Sequence, residues 1–185
     1  MTRETIGRPP MSGQVSPFFP TIEARNLEGR RFRLPANFAT ELSLAVVSFE
    51  RWRQELVDSW TPTLEILAAK HAGLRVYELP IISTRYRLAR PFIDGGMAAA
   101  IHSRAVRERT LTAYTSVETV LRALDLPNAK TIAVVLVDRS GYVYWRALGS
   151  FDSALAVSLT ATIDRLTNVT QPTVAVGQPA TDSLR

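Results

Sequence analysis

One eight-residue stretch, which has apolar residues at both its odd and its even positions, most constrains what this chain can fold into. Residues 42–49 read Leu-Ser-Leu-Ala-Val-Val-Ser-Phe, a run with the length of a strand and not of a helix. A strand with one face in water alternates polar and apolar residues, whereas a strand covered on both faces does not. The stretch therefore predicts a central strand with helices packed on both sides, which makes the fold α/β.

Periodicity predicts the elements on either side of this strand. A hairpin over 21–34 comes first, and a helix over 54–71 follows, with its apolar stripe at Leu56, Trp60, Leu64 and Leu67. The remaining predictions are a strand over 74–82, a loop over 91–96, a helix over 97–112, a helix from Thr115, a hairpin over 131–148 and a helix from Asp152 to Leu166. A parallel strand pair crossed by a helix, then an antiparallel hairpin and a closing helix, predicts a three-layer α/β/α sandwich.

The 185 residues suit one domain with polar ends. The predicted division is a flexible arm over 1–17, a domain over 18–167 and a tail over 168–185. No apolar run approaches the length of a membrane-spanning helix, and the start lacks the apolar core of a secretory signal. Residues 1–17 carry arginine and serine as a transit peptide would, but Glu4 and two adjacent prolines favour a short arm. The protein is not expected to be secreted.

The chain contains no cysteine, which excludes several classes of function. Disulfides, thiolate nucleophiles and cysteine-ligated metals all need that residue. His71 and His102 are the two histidines, and neither has the spacing of a metal site. Ser48, His71 and Asp58 are the residue types of a hydrolase triad, but no GxSxG elbow accompanies them. No catalytic residue, cofactor or metal ion is therefore predicted.

Arginine dominates the positive charge, with 20 arginines against Lys70 and Lys130. Residues 82–109 carry six arginines and only two acidic residues, a net charge of +4. Such a run is most often a solvated helix face, and otherwise it binds an anion or an acidic partner. Because no glycine-rich phosphate loop and no nucleic-acid module accompany it, neither a nucleotide nor a nucleic acid is an expected ligand.

The stretch from Val46-Val-Ser-Phe49 to Pro62-Thr-Leu-Glu-Ile-Leu-Ala68 resembles the core of the thioredoxin superfamily. Aligned without gaps, Phe49 takes the place of the phenylalanine that ends the superfamily's central strand, and Pro62 that of the proline within its first helix. The two cysteine positions of the redox motif then fall on Gln54 and Val57. Since thiol exchange needs an attacking thiolate, the resemblance implies the architecture of that site without its chemistry. The superfamily's cis-proline is also missing, because Thr131 stands in its neighbourhood.

Within that superfamily the chain is most similar to the mitochondrial ATPase-complex (ATP-synthase) assembly factors, which have a peroxiredoxin-like N-terminal hairpin. The shared motifs are Phe19-Pro20, Leu27-x-Gly29, Leu34-Pro35, Ser59-Trp60-x-Pro62, Leu124-x-Leu126-x-Asn128 and the hairpin from Leu136 to Gly149. The resemblance implies a non-enzymatic protein that helps a membrane-embedded ATP-synthase subunit to mature or associate. It also implies a bacterial cytoplasm, or the mitochondrial matrix and inner-membrane face, as the compartment.

We therefore expect a redox-inactive chaperone that acts by binding a protein, with peripheral membrane contact as a further expectation. Its predicted contact residues are Arg51, Trp52, Arg53, Gln54, Arg85, Arg87, Arg90, Arg104 and Arg107. Trp60 and Trp145 are instead predicted to pack in or near the core. Two alternatives stay open: a small-molecule binder or enzyme with a pocket between the first helix and the 85–109 segment, and a degenerate peroxiredoxin relative that serves as a structural module.

Overall fold

The computed structural model describes residues 18–49 and 54–169. The elements, in chain order, are β1 (Ile22–Asn26), β2 (Arg31–Leu34), β3 (Leu42–Ser48), α1 (Gln54–Lys70), β4 (Leu74–Ser83), α2 (Arg90–Ala100), α3 (Arg104–Arg109), β5 (Leu111–Thr115), α4 (Val117–Ala123), β6 (Ala133–Asp138), β7 (Val143–Leu148) and α5 (Ser153–Val169). A 3-10 helical segment, Thr84–Ala89, leads from β4 into α2. The predicted division of the chain at 17 and 167 stays a prediction, because both ends lie outside the described residues.

The strands of the described residues form one mixed sheet in the order β2-β1-β5-β4-β3-β6-β7. β3 lies near its centre, parallel to β4 from Leu42↔Leu74 to Ser48↔Pro80 and antiparallel to β6. Its residues 43–47 are all buried, because strands flank it on both sides and helices cover both faces. The predicted role of this stretch as a central, doubly covered strand is confirmed.

Two apolar cores lie on opposite faces of the sheet. On one face α1 and α5 pack through Trp60, Leu64, Leu159 and Ile163, each at most 1% exposed. On the other face α4 and the aromatic residues of the loops cover β1, β2 and the central strands. The result is three layers, helices on each side of one sheet, as the sequence predicts.

α1 follows the predicted helix closely, with one change in its buried face. Trp60, Leu64 and Leu67 are buried as predicted, but Val57 completes the stripe while Leu56 is only partly buried. Pro62 lies inside the helix with its side chain exposed. A proline there leaves one backbone carbonyl without its helical donor, and on the exposed side that carbonyl can bind water.

The predicted helix over 97–112 and the predicted loop over 91–96 are both wrong. α2 begins earlier, at Arg90, since Pro91 in a first helical turn sacrifices no hydrogen bond. Residues 111–115, predicted as the end of a helix and the start of another, form the buried strand β5. β5 is parallel to β4 and antiparallel to β1, through pairs such as Ile81↔Ala113 and Arg25↔Thr112. Those partners are distant in sequence, so local periodicity could not reveal them.

Side chains close in sequence fix where the helices α4 and α5 begin. Because Thr115 belongs to β5, the N-cap of α4 is Ser116 rather than Thr115, and its Oγ accepts a hydrogen bond from the Thr119 backbone N–H at 3.2 Å. The predicted hairpin of β6 and β7 is confirmed. Asp152 caps α5 as predicted, because its Oδ1 accepts the backbone N–H groups of Ala154 and Leu155 at 2.8 and 3.1 Å.

Candidate interaction surface

The two positions that the resemblance to the thioredoxin superfamily aligns with redox cysteines lie in the first turn of α1. Gln54 is exposed, and its Nε2 donates to Oδ1 of Asp58 at 2.9 Å. Val57 is 5% exposed and belongs to the core between α1, α5 and the sheet. Neither side chain can act as a nucleophile. Arg51, Trp52 and Arg53, which immediately precede α1, lie outside the described residues.

α1 is fastened to the loop between β7 and α5 by two hydrogen bonds. Trp60 Nε1 donates to the Gly149 carbonyl at 2.9 Å, and Ser59 Oγ accepts the Phe151 backbone N–H at 3.0 Å. The ring of Trp60 also meets the rings of Trp145 and Phe151 edge-on, with centroids 6.0 and 5.3 Å away. Trp60 is fully buried and Trp145 partly buried. The prediction that both tryptophans serve packing is confirmed.

The motifs that carry the resemblance to assembly factors have structural roles. Gly141 has φ +94°, and a Cβ at this position would lie 3.1 Å from Pro35 Cγ. Its carbonyl accepts the Phe19 backbone N–H at 2.7 Å, so three of the motifs meet at this point. Gly29 likewise has positive φ in the turn between β1 and β2, and the Leu124 carbonyl accepts from Arg146 Nη1. The motifs thus account for the fold and do not identify a partner.

The neighbourhood of the superfamily's cis-proline has ordinary backbone geometry here. Within the described residues the cis peptide bond is Leu34–Pro35, so the bond before Thr131 is trans. The expected loss of this feature is confirmed.

The arginine-rich segment is divided into two groups by α2. Arg85 and Arg87 precede α2, in the 3-10 segment at the carboxyl end of β4. Arg104 and Arg107 follow it in α3, and Arg107 Nε donates to Glu28 Oε1 at 2.6 Å beside the turn between β1 and β2. Eleven helical residues rise by about 16 Å, so the predicted contact arginines do not form one continuous patch.

Most of the arginines in this segment are occupied within the protein. Arg107 Nη1 also donates to the carbonyls of Ile101 and His102, at 2.8 and 3.0 Å. Arg104 pairs with Glu108 one turn further along α3, at 2.9 Å. Arg109, which is not among the predicted contacts, pairs with Glu65 of α1 at 2.6 Å.

Arg90 holds α2 against the sheet. Its Nε lies 3.1 Å from Asp94 Oδ2, its Nη2 donates to the Thr112 carbonyl at 3.2 Å, and its guanidinium carbon lies 4.7 Å from the ring centroid of Tyr114. Tyr114 Oη donates to Asp94 Oδ1 at 2.9 Å, and burial together with this bond raises the pKa of the tyrosine. The sequence pointed to none of these partners, because β5 was not recognised as a strand.

Arg85 and Arg87 differ from the other four arginines of the segment. Both are exposed, and within the described residues neither has an ion-pair partner. The Arg85 guanidinium carbon lies 4.6 Å from the ring centroid of the neighbouring Tyr86. Of the predicted contact residues that the structure describes, Arg85 and Arg87 are exposed without an ion pair, and Gln54 is exposed with its amide bound to Asp58 of the same helix.

Three large apolar side chains that are not among the predicted contact residues are exposed in the same region. Leu88 is 95% exposed, Phe92 is 85% exposed and Tyr86 is 43% exposed. Neither the 3-10 segment nor α2 contributes a buried residue. In the sequence Leu88 and Phe92 are four residues apart, Leu88 in the 3-10 segment and Phe92 in the first turn of α2. Two large apolar side chains this exposed and this close together are unusual on a monomer's surface.

Ser48 and His71, two residues of the candidate hydrolase triad, lie far apart in the structure. His71 follows the far end of α1, and its Nε2 lies 3.3 Å from Asp164 Oδ1. Ser48 ends β3 just before α1 begins, whereas His71 follows the last residue of α1. The seventeen residues of α1 rise by about 25 Å, so Ser48 and His71 cannot belong to one catalytic triad. Nor do three or more histidine and carboxylate side chains of the described residues converge on a metal-sized site.

One carboxylate is nevertheless held in a largely apolar layer. Glu78 of β4 lies on the sheet face beneath α1, opposite Val46 of β3. Burial raises the pKa of its carboxyl group, Arg109 opposes that shift, and the acidic side chains of Asp58 and Glu65 add to it.

An open groove of about 760 Å³ lies at the opposite edge of the sheet from Gln54. Its walls come from the end of α1, the start of β4, α3 and the turn between β1 and β2. The groove lies between the end of α1 and α3, which is the later part of the 85–109 segment, and does not reach the 3-10 segment.

No family model matches the chain, and no curated protein matches it in sequence. Solved structures do resemble it in fold. BsSco, a member of the Sco family of cytochrome c oxidase assembly proteins, matches with a TM-score of 0.56 at 14% identity, over 81% of this chain and 94% of its own. Yeast Sco1 matches with a TM-score of 0.55 at 16% identity, over 86% and 99% of the two chains. A thiol:disulfide interchange protein from Bacteroides sp. gives 0.53 at 16% identity, over 87% and 95%.

These likenesses are far too low in identity to transfer an activity, but they agree on architecture. The described helices include none long and apolar enough to cross a bilayer. The chain has a thioredoxin-like fold.

Proposed function

We propose that this chain is a redox-inactive thioredoxin-like protein that works by binding another protein and is not an enzyme. The observation that carries the proposal is the composition of the redox positions, Gln54 and Val57, in a chain without cysteine. Thiol exchange cannot occur on this scaffold, and Ser48 and His71 of the candidate triad lie far apart. What the scaffold still offers is a surface.

The binding surface that we propose is the sheet edge at which α1 begins. Gln54 and the unpaired Arg85 and Arg87 belong to elements that start at the carboxyl ends of β3 and β4, which lie at the same edge because the two strands are parallel. Arginine is enriched in protein interfaces because its planar fork forms paired hydrogen bonds with carboxylates. The preferred partner surface is therefore acidic.

The more specific proposal is an assembly factor for the membrane sector of ATP synthase, in a bacterial cytoplasm or at the matrix face of the mitochondrial inner membrane. It rests on the sequence resemblance alone, whose motifs serve the fold. The Sco neighbour belongs to a family of cytochrome c oxidase assembly proteins, so a thioredoxin-like scaffold is compatible with such a role.

The absence of cysteine makes this proposal directly testable by cross-linking. Gln54→Cys introduces a single thiol at the proposed surface, and Ala72→Cys introduces one just beyond the other end of α1; both positions are exposed. Each full-length variant, labelled with a thiol-linked photocross-linker, is mixed with native membranes and cytosol. We expect a discrete adduct from Gln54→Cys and none from Ala72→Cys.

Mass spectrometry of the adduct then identifies the partner. An ATP-synthase subunit would support the specific role, and another protein would refute it while keeping the binding function. Adducts from neither variant, or equal adducts from both, would contradict the proposed surface.

A small-molecule binder is the second candidate, and the groove beside α3 is the observation that favours it. A ligand present at 100 times its dissociation constant stabilises the folded state by about 2.7 kcal/mol. A thermal-shift screen of nucleotides, phosphates and carboxylates would detect a gain of that size. A hit that Arg104→Gln abolishes would favour this candidate over the protein binder.

A further inference from the structure

The exposed residues Arg85, Tyr86, Arg87, Leu88 and Phe92, called the 85–92 surface here, combine apolar and cationic side chains on one short segment. Other exposed apolar residues of the described chain, such as Ile66 and Val157, are on different helices, whereas Tyr86, Leu88 and Phe92 lie within seven residues. Scattered single exposures are normal on a soluble protein, but a cluster requires a reason.

The charge of this surface is positive and uncompensated. Arg85 and Arg87 alternate with Tyr86 and Leu88 and have no ion-pair partner among the described residues. Asp94 is the one acidic residue between positions 84 and 100, and both of its carboxylate oxygens are already occupied, by Arg90 and by Tyr114. A partner surface that meets the 85–92 surface must therefore supply the negative charge itself.

The anchoring of α2 explains why the apolar side chains point outward. Arg90 and Asp94 are one helical turn apart, and both bind β5, so they define the face of α2 that is turned toward the sheet. Phe92 lies between them in sequence and is 85% exposed. The hydrogen bonds of α2 to β5 come from Arg90 and Asp94, and Phe92 of the same helix is left exposed, as are Tyr86 and Leu88 of the preceding 3-10 segment.

We propose that the 85–92 surface docks on an anionic lipid bilayer. Leu88 and Phe92 enter the boundary between headgroups and acyl chains, Tyr86 lies at the headgroup level, and the two arginines bind lipid phosphates while their aliphatic stems extend along the apolar side chains. A side chain that is 95% exposed stands clear of its neighbours, and a fluid bilayer accepts such a group without a preformed pocket. Arginine beside aromatic and aliphatic side chains is the composition of interfacial segments.

The test is flotation of the full-length chain with lipid vesicles, in the absence of any other protein. We expect binding to an equimolar mixture of phosphatidylcholine and phosphatidylglycerol, weak binding to phosphatidylcholine alone, and loss of binding as salt is added. Arg85→Gln with Arg87→Gln should weaken the partition coefficient by about fivefold per arginine, or about thirtyfold for the pair.

The apolar contribution is tested by Leu88→Ser with Phe92→Ser, which should lower partitioning by about tenfold or more. Matched controls elsewhere on the surface are Ile66→Ser with Val157→Ser and Arg122→Gln with Arg165→Gln, all exposed positions. These controls should bind as the unmodified chain does. Far-UV circular dichroism verifies that each variant is folded, which is expected because no substituted side chain is buried.

A second measurement reports insertion directly. Leu88→Cys labelled with an environment-sensitive fluorophore should shift to shorter wavelength on anionic vesicles, while labelled Val157→Cys should not. The proposal would be overturned if the control variants lost as much vesicle binding as the 85–92 variants did. It would also be overturned by equal binding of the chain to neutral and anionic vesicles, or by an unchanged emission wavelength of labelled Leu88→Cys. If Leu88→Cys carrying a thiol-linked photocross-linker forms an adduct with a membrane protein and the chain does not bind vesicles, the proposal is overturned and the surface is a protein interface. Because the vesicles contain no other protein, the vesicle-binding result is independent of the Gln54→Cys cross-linking result.

Discussion

Glu78 shows how a single residue can report on the layer between α1 and the sheet. Its register partner in β3, Val46, is buried in the core on the side of α1, and burial moves the pKa of the Glu78 carboxyl group upward from the usual 4.5. A carboxyl group whose pKa is higher in the folded state favours folding at low pH, and this contribution is lost as pH rises through the folded-state pKa.

Glu78→Gln should therefore stabilise the protein at neutral pH, because glutamine imitates the protonated carboxyl and needs no buried charge. The gain in free energy of unfolding should shrink as the pH falls toward 4.5 and below, where glutamate is itself protonated. Urea denaturation of both chains across the pH range measures this difference. A gain that is constant with pH would mean that the effect does not come from the carboxylate. Glu118→Gln, on the exposed surface of α4, is the matched control and should show no such trend.

At the scale of elements, α1 stands where the resemblance to the thioredoxin superfamily places a redox helix, with Gln54 and Val57 at the positions aligned with its cysteines. The helix begins at Gln54, and Val57 lies three residues further along. Its second turn is fixed by the hydrogen bonds of Ser59 and Trp60 to the loop before α5. Residues three apart on a helix are neighbours, and a helix N-terminus favours a thiolate because of its partial positive charge.

Gln54→Cys combined with Val57→Cys should therefore form a reversible disulfide, since the unmodified chain contains no other thiol. Thiol titration should find two free thiols after reduction with dithiothreitol and none after mild oxidation. As a control, Asp58→Cys with Thr61→Cys has the same spacing, lies beyond the first turn and should oxidise far less readily. If the two pairs behave alike, α1 does not preserve the geometry of a redox site.

The attachment of α2 is a second feature at this scale. Among the described helices α1 and α5 each bury an apolar stripe, whereas α2, like the short α3, has no buried residue. Arg90 and Asp94 attach α2 to Thr112 and Tyr114 of β5. Such polar attachment leaves the apolar face of the segment available, which is the basis of the proposed bilayer contact.

At the scale of the whole molecule, the two cores share one sheet. Val134 and Val135 are consecutive in β6 and fully buried, yet their side chains belong to opposite cores, because successive residues of a strand point to opposite faces. Trp60 and Trp145 both lie on the side of α1 and α5, while Trp52 lies outside the described residues.

Val134→Ala and Val135→Ala should each lower the free energy of unfolding by roughly 1–3 kcal/mol. Since both cores depend on β6, we expect a single cooperative transition in each variant. Tryptophan fluorescence and far-UV circular dichroism should give the same urea midpoint, even for Val135→Ala, whose cavity lies in the core away from Trp60 and Trp145. Separate midpoints for the two probes would show that the faces unfold independently.

The sequence by itself determined the elements whose signal is local. The doubly apolar run over 42–49, the helical stripe through Trp60 and the Asp152 cap all depend on residues close together in the chain. So do the redox positions, because Gln54 and Val57 are counted directly from Phe49 and Pro62. The class of fold and the absence of thiol chemistry follow from these features.

Only the tertiary structure decided the remainder, because it depends on contacts between distant residues. β5 is a strand through its pairing with β1 and β4, and α2 could be delimited only once β5 was in place. Arg107 and Arg109 are occupied by Glu28 and Glu65, acidic residues that no periodicity connects to them. Whether an arginine is available to a partner depends on whether the fold brings a carboxylate within about 4 Å of it. The exposure of a side chain depends on what packs over it. The surface left for a partner could therefore be identified only in the folded chain.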